Sequence, residues 1–221
     1  MPIRGSLSVG ALNLGTKVVE TRGFSAGNPA PSGYWLAQNQ GGSSGFYWIK
    51  SPSMPSALQM YVDMTAEGGG YDYYPISGGI SFNDASVSHS GTPLGLDLIY
   101  PRSQAHFQSV YNYISSQLGG NFSSYLQVPG KVYRTTGGGS SYTTYIMRSG
   151  SVPDWRVPDG GRWWLRDSTF TEPNGDYTSN GFLGLYAAGY GINSDGSLTG
   201  FNDGGSYSTG GNYLVSTNAK P

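Results

Sequence analysis

The sequence predicts an α+β domain, rich in short strands and loops, with one main amphipathic helix at about 103–118 and an extended N-terminal arm. Three observations predict it. Glycine, at 36 of 221 residues, supplies the positive-φ positions of many tight turns. Aromatic residues make up 14% of the chain and fall in blocks such as Tyr34-Trp35, Phe46-Tyr47-Trp48 and Trp163-Trp164. Such blocks separate it from the Gly/Ser-rich chains that lack the apolar groups to fold. Between Gly-rich turns the apolar residues form runs of strand length, and one stretch alone repeats at helical spacing.

In chain order, residues 1–33 hold few large apolar side chains beyond a strand-like patch, Lys17-Val18-Val19-Glu20-Thr21. They end in Gly27-Asn28-Pro29-Ala30-Pro31-Ser32-Gly33, which reads as a linker. Residues 1–41 are therefore expected to be a docking arm and linker, and 42–221 a single domain; an ordinary edge of that domain is the alternative for the arm. Strand runs are expected at Gly45–Lys50, Leu58–Met64, Gly95–Tyr100, Tyr142–Met147 and Arg162–Arg166. Between them, Phe107, Val110, Tyr111, Ile114 and Leu118 lie on one helical face, with Ser103 as N-cap and Gly119 as the stop. No fixed-period repeat is present, which argues against a solenoid or propeller.

The charge pattern narrows the partners. Twelve Lys and Arg against 13 Asp and Glu give a net charge of −1, and the basic residues are scattered singly. No basic stripe exists to neutralise phosphates, so nucleic acid and anionic membrane are poor partners. A surface of Tyr, Ser, Thr, Asn and Gly suits neutral hydroxylated ligands or protein neighbours. The sequence contains no apolar stretch of transmembrane length, and Met1-Pro2-Ile3-Arg4-Gly5 lacks the apolar core of a signal peptide. With no cysteine there is no disulfide framework, thiolate site or cysteine nucleophile, as expected of folding in a reducing compartment.

The run Gly45-Phe46-Tyr47-Trp48-Ile49, then Leu58-Gln59-Met60-Tyr61-Val62-Asp63-Met64, then Glu67-Gly68-Gly69-Gly70-Tyr71 resembles the opening of a fibrinogen-related domain. A second segment resembles the C-terminal part of fibrinogen-related, intelectin-like lectin modules. It runs from Trp163-Trp164-Leu165-Arg166-Asp167 through Glu172-Pro173-Asn174-Gly175-Asp176-Tyr177 and Leu183-Gly184-Leu185-Tyr186 to Phe201-Asn202-Asp203-Gly204, Tyr207 and Val215. The two matches span most of 42–218, and about 72–160 is only loosely similar. The resemblance implies a β-rich fibrinogen C-terminal-like fold. Val62, Gly181 and Val215 stand where such domains carry cysteines. A disulfide typically contributes about 2–5 kcal/mol, so its systematic replacement suits a protein assembled where bridges never form. By analogy this implies a tailed-bacteriophage virion protein, assembled in the host cytoplasm and released by lysis. The expected function is that of a fibre tip or adhesin head that binds host-surface glycans without catalysis, as a homotrimer attached to other virion proteins through residues 1–33. A capsid or tail decoration protein, using the same fold for packing, is the alternative; a free bacterial lectin and a glycan depolymerase stand further back.

Candidate chemistry follows from the polar turns. Glu172-Pro173-Asn174-Gly175-Asp176 concentrates three oxygen donors, with Asp167 five residues earlier and Asn202-Asp203-Gly204 approaching from another loop. Calcium takes six to eight hard oxygen ligands, and the resemblance implies a loop calcium here; a Pro-Asn-Gly-Asp turn without metal remains the alternative. Asn193-Ser194-Asp195-Gly196-Ser197 lacks the bidentate Glu of an EF-hand and reads as a hairpin turn. His89 in a loop and His106 on the helix are the only histidines, and no nucleophile elbow accompanies them. Trp164, Tyr177, Tyr190 and Tyr207 are expected to flank a ligand, with one of Trp163 and Trp164 in the core. Asn121-Phe122-Ser123 is a glycosylation sequon in pattern only.

Overall fold

The computed structural model describes residues 21–78, 80–83, 93–100, 102–119, 127–130, 133–134, 155–164, 182–186, 202–204, 206–209 and 212–221. In chain order these form α1 (Gly33–Asn39), β1 (Gly45–Ile49), β2 (Leu58–Asp63), a 3-10 turn (Ala66–Gly68), β3 (Tyr71–Ile76), β4 (Ile80–Asn83), a second 3-10 turn (Pro93–Gly95) and β5 (Asp97–Leu98). There follow α2 (Gln104–Gln117), β6 (Gln127–Gly130), β7 (Tyr133–Arg134), β8 (Trp155–Arg156), β9 (Phe182–Tyr186), β10 (Asn202–Gly204), β11 (Ser206–Thr209) and β12 (Tyr213–Ser216). Helices and antiparallel sheet are thus combined, as an α+β chain requires. The main sheet has the order β1-β2-β3-β12-β5, with every neighbouring pair antiparallel. Smaller sheets pair β10-β9-β6, β11-β4 and β7-β8.

Strand alternation divides the core into two layers. Tyr71, Tyr73, Ile99 and Leu214 join Phe107, Val110, Tyr113 and Ile114 of α2 on one face. Met60, Val62, Leu98, Tyr213 and Val215 point the other way, onto Leu36 of α1, Ala30 and Ile49. The period of two along β2, β3 and β12 assigns these faces, and each fully buried Leu or Ile contributes about 1.5–3 kcal/mol. Helix α2 starts where its N-cap predicts: the Ser103 hydroxyl accepts the His106 amide, and Gly119 follows with φ +76°. Its buried stripe is broader than expected. Tyr113 is buried and stacks on Tyr61 and Tyr73, whereas Tyr111 is only half-buried. A helix lying flat on an aromatic sheet face buries more than a narrow seam.

Three local expectations change. Residues 21–41 are not a detached arm and linker but part of the core. The Trp48 amide donates to Gly23 O (2.7 Å), Ala30 bridges to Ile49, and Leu36 is fully buried. A Cβ on Gly33 would meet Val62 Cγ1 at 2.9 Å, so glycine brings the start of α1 down onto β2. Small residues, misread as a linker, are here the means of close packing. Residues 1–20 lie outside the described residues. At 162–164 the chain forms no strand, because the Arg162 carbonyl accepts from Arg102 (2.9 Å) instead of from a neighbouring strand. The strand expected over Gly95–Tyr100 shrinks to β5, since Leu94 and Gly95 turn with positive φ. Tyr142–Met147 lies outside the described residues.

Candidate functional site

Among the described residues, the densest polar chemistry lies where the β2–β3 turn, the start of α2, residues 157–162 and the C-terminal tail meet. In the turn, Glu67 (φ 50°) and Gly68, Gly69 and Gly70 all have positive φ. A non-glycine residue there costs about 1–2 kcal/mol. The Glu67 carboxylate offsets this by accepting from the Tyr71 hydroxyl, Ser103 Oγ (2.7 Å) and Arg162 (3.0 Å). Burial opposes its ionisation, but those hydrogen bonds and the Arg162 charge hold it at about 2. The turn's carbonyls face inward onto Lys220, whose ammonium donates to Ala66 O, Glu67 O and Gly69 O at 3.2, 2.8 and 2.7 Å. The same ammonium sits 4.3 Å from the Tyr71 ring centroid, and burial lowers its pKa.

Two further carboxylates act as braces. Asp72, buried in β3, accepts from the Gly33 amide, Ser216 Oγ, the Thr217 amide and Thr217 Oγ1, tying α1 to the C-terminal tail. Asp63 accepts from Thr65, the Ala66 amide and Ser44. Burial alone would raise its pKa; hydrogen bonds from Ser109, Thr65 and Ala66 outweigh it and hold the carboxyl below the usual range. Arg102 is buried beneath the tail, forms a two-pronged ion pair with Asp159, and also donates to Asn218 O (3.3 Å).

His106 completes the cluster. Its ring stacks on Tyr71 at 4.0 Å and 3°, and Nδ1 accepts the Arg102 amide at 3.3 Å. Burial first, and the Arg102 charge second, drive its pKa down to about 3, so the imidazole is neutral at pH 7. Its Nε2 and Arg102 Nε are buried without a hydrogen-bond partner. Each such donor costs about 1–3 kcal/mol.

Of the residues expected to bind ligand, the described ones lie outside this cluster. Trp164 and Trp163 are both half-buried against the α2 core layer, with the Trp164 ring 6.0 Å from Phe107. Packing thus engages both, where the sequence left one undecided. Tyr207 lies in β11 opposite Phe82. Asn202 and Asp203 lie in β10, opposite Gly184 and Leu183, so this segment is a strand and not the loop expected. Tyr177, Tyr190, Asp167, Glu172, Asn174, Asp176, Gly181 and His89 lie outside the described residues. Among the described residues no group of three or more His, Asp and Glu could hold a metal. No described helix is long and apolar enough to cross a membrane. The brace residues Asp63, Asp72, Arg102 and Lys220 were missed from sequence. Their signal was isolation: in a chain only 11% charged, Asp72 stands between Tyr71 and Tyr73 in a strand with one buried face after another.

Comparison with known proteins finds no matching family model, no matching curated protein and no matching solved structure.

Proposed function

We propose that the chain is a non-catalytic binding head of a bacteriophage virion, a fibrinogen-like, disulfide-free domain that recognises host-surface glycans. One observation carries the preference for binding over chemistry. The acids and bases of the central cluster are spent on architecture: Asp63, Asp72 and Glu67 are saturated by protein donors, and His106 is buried and stacked. The virion reading rests on the sequence resemblance. It is supported by Val62 and Val215, fully buried in one apolar layer at positions where similar domains carry cysteine. Calcium in the Glu172–Asp176 loop and a trimeric assembly belong to the same reading, with attachment passing to residues ahead of 21.

A decoration role is the second reading, and one observation favours it. Phe46 of the outermost strand β1 and Phe24 of the segment hydrogen-bonded to it, 53% and 69% exposed, pack edge-on against Tyr61 and Tyr47. Exposed aromatics beside a sheet edge suit a protein neighbour. A glycan array probed with the purified chain, with and without calcium, separates the two. Binding to host-type glycans is expected; no binding in either condition, with the chain found at capsid vertices in labelled particles, would replace the adhesin with the decoration protein.

A further inference from the structure

Between α2 and the C-terminal tail lies a small depression lined by Tyr71, Asp72, Arg102, His106, Asn218 and Lys220. It has room for about one small species, too little to enclose a sugar. Arg102 and His106, whose Nε and Nε2 are buried without a partner, both belong to its lining. Because His106 Nδ1 accepts the Arg102 amide, the proton of the neutral ring sits on Nε2. Both are therefore donors, and what they lack is an acceptor. The surrounding charge selects its kind. Asp72 is the sole acid of the lining, and its oxygens are already taken by Gly33, Ser216 and Thr217. Lys220 is held by neutral carbonyls, and its charge meets no carboxylate within ion-pair distance among the described residues.

We propose that this depression binds a monoatomic anion, chloride in solution, which accepts from Arg102 Nε–H and His106 Nε2–H in the field of Lys220. The anion locks the tail to the start of α2. The test uses the full chain, unfolded thermally at pH 7 and constant ionic strength in sodium chloride or sodium gluconate. A site half-filled near about 50 mM gains about 3 °C in Tm between zero and about 300 mM chloride. Crystals soaked in bromide should show an anomalous peak within hydrogen-bond distance of both nitrogens. His106→Phe keeps the ring stack but removes the donor, and should abolish the chloride-dependent rise. Should that variant fail to fold, the bromide peak in the unaltered chain decides alone. Equal Tm in the two salts with a water at the two nitrogens, or a rise that persists in His106→Phe, overturns the proposal.

Discussion

Acidification should weaken the fold through His106 before any carboxylate responds. In the folded chain this imidazole resists protonation down to about 3, while in the unfolded chain it takes a proton near 6.5. Its folded pKa is depressed, so its contribution is complete above about pH 6.5 and is lost as pH falls toward 3. Between pH 6.5 and 5 the proton excess of the unfolded state grows from about a half to about one, and the slope from about 0.7 to about 1.4 kcal/mol per pH unit. The loss over that interval is about 1.6 kcal/mol, a large share of a typical stability of about 5–15 kcal/mol. Asp63, Glu67 and Asp159 also have lowered pKa values. Their unfolded carboxyls titrate near 4, so they steepen the profile only below about pH 5. Urea unfolding at half-unit pH steps in sodium gluconate measures the slope free of bound chloride. His106→Phe should be less stable at pH 7, having lost the acceptor for the Arg102 amide, yet flat between pH 5 and 6.5. An unchanged slope in His106→Phe, or an NMR titration placing His106 near 6.5 in the folded chain, would refute the burial argument.

Other perturbations probe the braces and the loop. Asp72→Ala strips four donors of their acceptor inside the core and should cost about 3–5 kcal/mol in urea unfolding, well above Asp72→Asn. Gly95→Ala combines φ +68° with a Cβ 2.0 Å from Ser53 O and should cost at least about 2 kcal/mol; Gly27→Ala, with open space around it, should stay within about 0.5 kcal/mol. Asp176→Ala should lower Tm in calcium and leave it unchanged in chelator, and an equal loss in both conditions would remove the metal from the Glu172–Asp176 loop.

Local chemistry was the legible part of this fold. The Ser103 cap, the Gly119 stop and the apolar spacing of α2 are written within one segment, and the alternation in Leu58–Asp63 sets which of its residues face each layer. Long-range pairing was not legible. β12 enters between β3 and β5 more than a hundred residues after either, and nothing in the tetrapeptide Tyr213–Ser216 names its neighbours. The polar cluster shares that origin. Asp72 meets Thr217, and Lys220 meets Gly69, only because the tail crosses the sheet beside the β2–β3 turn. Residues 21–41 misled for a different reason: Gly, Pro and Ser are the composition of a linker and equally that of a backbone packed tightly against a sheet.

The valines at positions 62 and 215, where the sequence resemblance implies cysteines, have a defined geometry. Val62 and Val215 share an apolar layer, but β3 lies between their strands and they pair with Asp72 and Tyr74, two residues apart along it, so they are about 11–12 Å apart and could never have bridged each other. Val62 has a nearer neighbour. A Cβ built on Gly33 falls 2.9 Å from Val62 Cγ1, and in a disulfide the Cβ of one residue lies about 3 Å from the sulfur of the other. The distance from the Gly33 Cβ to Val62 Cγ1 therefore matches the one a bridge would need there. Gly33→Cys with Val62→Cys should oxidise to an intramolecular bond closing a loop of about 30 residues, adding about 3 kcal/mol relative to the reduced double variant. Thiol counting and urea unfolding with and without reductant measure both quantities. Two thiols left free after oxidation of the folded chain would show that α1 sits farther from β2 than Gly33 implies. A bridge that forms and stabilises would show that α1 and β2 hold Gly33 and Val62 at disulfide distance.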